Sequence, residues 1–288
     1  MFGAIEAGGT KFVCAVADEQ LVVQDRVRIP TDDPQKCVPQ IVQFFQQYQL
    51  SGLGVGAFGP IGINPESADY GFVKQTPKPG WSHFDFLGAL KTALDCPIYW
   101  TTDVNVAAYG ELHRGAAQGL HNVVYLTVGT GIGGGIIHDG KVYTAYSHPE
   151  VGHIAVRPSA DDVPGFKGVC PYHDYCLEGM AAGPAIEARV GVPAATLSKT
   201  DAVWDIEAYY LAQAAVDYTL SFAPERIIFG GGVSNQAQLY PLIQASFAVQ
   251  MNGYVETPPL NEYLVHAGLG DDAGITGALL LAQRVATH

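Results

Sequence analysis

One pattern restricts this chain more than any other, and it occurs twice: an apolar run, a glycine-rich turn, and a second apolar run that returns. Phe2-Gly3-Ala4-Ile5-Glu6-Ala7 reads as a buried strand, Gly8-Gly9-Thr10 as a turn, and Lys11-Phe12-Val13-Cys14-Ala15-Val16 as the returning strand. Val123-Val124-Tyr125-Leu126-Thr127-Val128 feeds Gly129-Thr130-Gly131-Ile132-Gly133-Gly134-Gly135 in the same way, and Ile136-Ile137 and Lys141-Val142-Tyr143 are again extended. Residues 5–16 and 123–143 are thus two hairpins with glycine tips. Adjacent glycines beside a threonine turn backbone N–H groups into a concavity that suits a phosphate oxygen, with Lys11 as an added point charge; an ordinary tight turn has the same composition. No G-x4-G-K-[ST] loop occurs. Gly129, Gly131 and Gly134 satisfy G-x-G-x-x-G by spacing, but a dinucleotide fold needs a helix directly after the loop, and β-branched residues follow instead.

Between the hairpins the order of elements is that of a parallel sheet. Leu21 to Ile29 is strand-like, Pro34 to Leu50 has apolar residues at helical spacing after Asp32-Asp33, and Leu53 to Phe58 is a buried strand ending in Gly59-Pro60. The long connection from Asn64 to His83, with Thr76-Pro77-Lys78-Pro79-Gly80-Trp81, reads as one lip of a substrate site. A helix at 84–94 leads to the strand Ile98-Tyr99-Trp100, then to Thr101-Thr102-Asp103 and a helix at 106–114. Asp103 at that junction is either an N-cap or a general base at the carboxyl end of a sheet strand. Later, Ile227-Ile228-Phe229 runs into a third glycine turn, Gly230-Gly231-Gly232, followed by a helix at 236–251, and Asp271-Asp272 opens a final helix.

The densest ligand chemistry lies between Glu150 and Glu178. His153, Cys170, His173 and Cys176 offer two imidazoles and two thiols, and C-x2-H-x2-C spacing lets one tight turn aim three of them inward while His153 closes the set. Four protein ligands leave no place for water, so the spacing points to structural zinc that fixes Glu150 and Glu178 beside one pocket. The other three of the five cysteines sit in apolar runs, as reduced thiols of a cytoplasmic protein do. A formal charge of −13 argues against a nucleic-acid or anionic-membrane partner, and no apolar run reaches the ~20 residues a bilayer requires.

Glu6-Ala7-Gly8-Gly9-Thr10-Lys11, Thr102-Asp103-Val104-Asn105, the Gly129–Gly135 loop, Glu150-Val151-Gly152-His153 and Gly230-Gly231-Gly232-Val233 resemble, in order and across the whole chain, the motifs of the ROK family of sugar kinases and repressors. Phe58-Gly59-Pro60, Thr76 to Trp81 and Cys170-Pro171-Tyr172-His173 are similar to its bacterial fructokinase branch. The resemblance implies an α/β, actin-like (ribonuclease H-like) fold of two domains with an interdomain cleft and a zinc-binding segment. The first domain would comprise 1–117 plus 272–288, the second 118–271. It implies ATP and Mg2+ beside structural Zn2+, transfer of a phosphoryl group to the 6-hydroxyl of fructose, and a homodimer. By the same resemblance Asp103 is the base; Thr102, Glu150, His153 and Glu178 face the sugar; Gly8, Gly9, Thr10, Lys11, Thr130 and Gly131 hold phosphates; and Gly183, Pro184, Gly230, Gly231 and Gly232 approach the nucleoside. Two positions depart from the family pattern: His173 replaces a cysteine, and Thr102 replaces an asparagine, with one donor where an amide has two. The competing expectations are a kinase preferring mannose, glucose or an N-acetylated hexose, a sugar-sensing regulator, and a zinc hydrolase using Glu150.

Overall fold

The computed structural model describes residues 1–287. The chain divides into two compact units, Met1–Gly115 with Lys141–His148 and Asp271–His288, and Ala116–Gly140 with Pro149–Gly270. Residues 141–148, which the sequence reading places within 118–271, group with the first unit, where the buried His148 accepts a hydrogen bond from Ile61 N at 3.1 Å.

The first unit is built on a five-stranded sheet with the spatial order Val23–Pro30, Lys11–Ala17, Phe2–Ala7, Gly52–Ala57, Ile98–Thr102. The first three strands are antiparallel and the last two run parallel to Phe2–Ala7. Phe2–Ala7 lies in the middle, which is why it reads as a continuous apolar run and not an alternating one. Helix Pro34–Phe45 starts where Asp33 accepts from Gln35 N, with Pro34 in the first turn, where its missing N–H has no cost. Helices Asp103–Arg114 and Ala273–Ala286 pack closely because Gly110 and Gly277 lack side chains where the partner backbone passes; a Cβ on Gly277 would overlap Val106 O. That contact fixes the helix whose first residue is Asp103.

The connection from Asn64 to His83 is less free than its composition suggests. Phe72–Val73 pairs with Phe84–Asp85, and Trp81 is fully buried, stacked on Phe12 at 5.4 Å and edge-on to Phe58, Phe84 and Phe86. Its indole N–H donates to Asp32 O at 2.7 Å. Removing a ring so buried costs roughly 3–5 kcal/mol, so the loop is anchored by the core it crosses.

The second unit repeats the scheme. Ile132–His138 pairs antiparallel with Val123–Val128, and Arg226–Gly230 and Leu264–His266 follow in parallel. Helix Val203–Phe222 and helix Leu239–Met251 cover the sheet and bury Trp204, Tyr210, Tyr218 and Phe247. The buried Tyr hydroxyls find partners: Tyr218 donates to Val151 O at 2.8 Å, and Tyr263 lies 2.8 Å from Thr219 Oγ1. After Cys176 the chain forms two short helices, Leu177–Ala181 and Gly183–Val190. Pro184 has no N–H to continue the first, and Ala182 is extended between them. Among the described residues no helix is long and apolar enough to cross a membrane.

Candidate active site

In the first unit, the strand Phe2–Ala7 and its return at Lys11 leave Gly8-Gly9-Thr10 as an exposed tip. Gly8 N donates to Lys11 O at 3.0 Å, and Thr31 secures the turn from outside, its hydroxyl on Gly8 O at 2.9 Å and its N–H on Thr10 O at 3.0 Å. Among the described residues, the N–H groups of Gly9 and Thr10 donate to no protein acceptor. Glu6 at the base of the turn is half-buried; burial, partly opposed by the charge of Lys11, pushes its carboxyl from the ordinary 4.5 to about 7.

The strand Ile98–Thr102 hands over to its helix at Thr102, whose hydroxyl accepts from Asn105 N at 3.2 Å. Thr102, and not Asp103, is therefore the N-cap. Asp103 is the first helical residue, with its Oδ1 accepting from Val104 N at 2.9 Å, and sits half-buried at the carboxyl end of a sheet strand. Lys78 reaches the Gly8–Lys11 turn from the anchored loop: its Nζ donates to Gly9 O at 3.0 Å and lies 4.9 Å from the centre of the Phe58 ring. Burial pushes this ammonium below its ordinary range, and the charge of Asp103 opposes that. The sequence reading assigned Lys78 no role; the one signal was a lone cation between two prolines.

In the second unit, the tip Gly129-Thr130-Gly131 is closed by Gly129 N on Gly131 O at 3.0 Å, and Gly129 O accepts from Gly183 N at 2.7 Å. The N–H groups of Thr130 and Gly131, like those of Gly9 and Thr10, meet no protein acceptor among the described residues. A Cβ on Gly129 would lie 3.8 Å from Gly232 N, and one on Gly183 would lie 3.1 Å from Gly129 O. Gly231 has φ +84, and a Cβ there would stand 2.6 Å from Val128 O, so this position requires glycine. Three glycine segments far apart in sequence, 129–131, 183 and 230–232, thus converge with bare backbone, and Pro184 opens the helix beside them.

The zinc ligands assemble next to them. Val156 N donates to Tyr175 O and Leu177 N to Ile154 O, a short antiparallel contact that lays His153 beside Cys176. Cys176 caps the helix Leu177–Ala181. His153 Nδ1 lies 3.9 Å from Cys170 Sγ and 3.7 Å from Cys176 Sγ, and His173 Nδ1 lies 3.8 Å from Cys170 Sγ. All four donor atoms fall within 4.8 Å of one another. A tetrahedral zinc at about 2.3 Å from sulfur and about 2.0 Å from nitrogen needs donors about 3.3–3.8 Å apart, so the donor set fits a closed zinc site. With Nδ1 facing the two thiols, His153 Nε2 points at Glu178 Oε1, 3.9 Å away, and Glu178 Oε2 accepts from Ile132 N at 2.9 Å. Glu178 therefore links the zinc cluster to the glycine tip. Glu150 is close enough to Glu178 that burial first and this like charge second raise its carboxyl above the ordinary range.

The profile described as "ROK family" matches residues 2–285. The chain is 50% identical over 284 residues to the fructokinase of Pediococcus pentosaceus, covering 98% of both chains. Among solved structures it is similar to a ROK hexokinase from Thermus thermophilus, with TM-score 0.81, 26% identity and 99% coverage of each chain. It is also similar to a ROK family glucokinase from Streptomyces griseus in complex with glucose and AMPPNP, with TM-score 0.78, 25% identity and coverage of 98% and 99%. With the family model matched over residues 2–285, the chain belongs to the ROK family.

Proposed function

We propose that the protein is an ATP-dependent fructokinase, transferring the γ-phosphoryl group of ATP to the 6-hydroxyl of D-fructose. The observation that carries this is 50% identity with a fructokinase over 98% of the chain. In the first unit, Asp103 takes the proton of the sugar hydroxyl as it attacks phosphorus, a contribution of about 10²–10⁴ in rate. Thr102 accepts as a helix cap and keeps one O–H to donate to the sugar. The unpaired amides of Gly9 and Thr10, with Lys11, and those of Thr130 and Gly131 offer donors to phosphate oxygens, where charge develops during transfer. Mg2+ bound with ATP would offset part of the charge on its phosphates. Gly183, Pro184 and Gly230–Gly232 give the nucleoside a surface of bare backbone. Glu150, His153 and Glu178 receive sugar hydroxyls, and zinc on His153, Cys170, His173 and Cys176 holds the last two in position.

A homodimer in a cytoplasmic compartment completes the reading. Five reduced cysteines, two of them in the metal cluster, suit a reducing environment. The test is ADP formation with Mg-ATP across fructose, mannose, glucose and N-acetylmannosamine. Fructose is expected to give the highest kcat/KM; a tenfold preference for any other sugar would replace fructose with that sugar.

A further inference from the structure

Lys78 lies in a segment built to hold it still. Pro77 and Pro79 restrict the backbone on either side, Ser82 Oγ donates to Thr76 O at 2.7 Å and accepts from Thr76 N at 3.1 Å, Trp81 N donates to Lys78 O at 3.2 Å, and the Trp81 ring is locked in the core. A lysine serving solubility extends into water. This one lies over the Phe58 ring and delivers Nζ to Gly9 O, the carbonyl of the phosphate turn, at 3.0 Å. A Cβ on Gly9 would come within 3.2 Å of Nζ, so the turn and the ammonium are in contact. Among the described residues, Gly9 O is the one hydrogen-bond acceptor of Nζ, which leaves two N–H groups over.

We propose that Lys78 is a positioning residue of the phosphoryl-transfer site, joining the Gly8–Lys11 turn to the carboxylate of Asp103; this rests on the roles given above to that turn and that aspartate. The physical need is clear. A carboxylate base and a triphosphate repel each other when brought together, and a cation between them offsets that repulsion while fixing the direction in which the base points. That Asp103 already acts on the Lys78 ammonium, against the effect of burial, agrees with this placement. Lysine suits the position because its compact ammonium carries three donors and leaves the turn carbonyl one of them.

The experiment is a double-mutant cycle of Lys78→Met and Asp103→Asn on the zinc-loaded full chain, with Lys78→Arg alongside, reading kcat, KM for ATP, fructose affinity by calorimetry and Tm. Lys78→Met is expected to lower kcat by about 10²-fold, with fructose affinity within about threefold of wild type. Lys78→Arg should recover at least about tenfold of that loss. In the Asp103→Asn background Lys78→Met should cost less than about fivefold, because a residue acting through Asp103 has little left to lose. Three results would each overturn the inference and leave Lys78 a loop anchor: kcat of Lys78→Met within about threefold of wild type, no recovery by arginine, or losses that simply multiply. Full activity of Asp103→Asn alone would remove the base itself, an outcome distinct from these.

Discussion

Glu6→Gln gives a stability effect that depends on pH with a calculable sign. The carboxyl of Glu6 titrates at about 7 in the fold instead of 4.5, because burial outweighs the attraction of Lys11. Between those values the folded chain holds a proton that the unfolded chain has lost, so the associated stability is complete below pH 4.5 and is lost as pH rises through about 7. At about 1.4 kcal/mol for each pH unit, the loss amounts to roughly 3 kcal/mol above pH 8. Glutamine has the shape of the protonated acid and never ionises. The variant should match wild type at pH 4.5 and exceed it at pH 8 by ~3 kcal/mol, or roughly 6–12 °C in Tm. Tryptophan fluorescence reports on this unit through the buried Trp81 and Trp100. Taking the difference between variant and wild type at each pH cancels the titration of the rest of the protein. A Tm difference that stays constant from pH 4.5 to 8 would refute the reasoning, since it would mean that Glu6 carries no excess proton in the folded state.

Two further expectations concern the second unit. Cys176→Ser removes one zinc ligand and should abolish stoichiometric metal by elemental analysis, with fructose KM raised about 10–100-fold because His153 and Glu178 lose their support; normal KM in metal-free protein would separate zinc from the sugar site. Arg189 and Asp162 form a buried two-point ion pair at 2.7 and 2.9 Å, and Arg189 also donates to Met180 O at 2.7 Å. Arg189→Met strands a buried carboxylate and should lower stability by about 3–5 kcal/mol, whereas pairing it with Asp162→Leu should restore most of the loss in a denaturant melt.

The sequence already contained what short-range chemistry determines. Both hairpins were legible because continuous apolar runs stop at adjacent glycines, and the zinc cluster because three of its ligands share one turn. What escaped was either a choice between adjacent caps or a contact with a distant partner. The helix after Ile98–Thr102 starts at Asp103, three residues before the expected Val106, because Thr102 caps it, and a threonine and an aspartate side by side are both good caps. The proline-rich loop read as a polar lip, yet Trp81 inserts into an aromatic cluster with Phe86 and with Phe12 and Phe58, which lie outside any local window. Lys78 was missed for the same reason: its partner, the Gly9 carbonyl, lies 69 residues away. Glu178 was found as an acid near a metal, but its bond to Ile132 N, which ties zinc to the glycine tip, exists only in three dimensions.

The central claim is that these residues move a phosphoryl group from ATP to fructose, and 31P NMR of the zinc-loaded protein with Mg-ATP and fructose tests it most directly. One fructose 6-phosphate is expected for each ADP formed. ADP accompanied by inorganic phosphate, or no consumption of ATP at all, would contradict it.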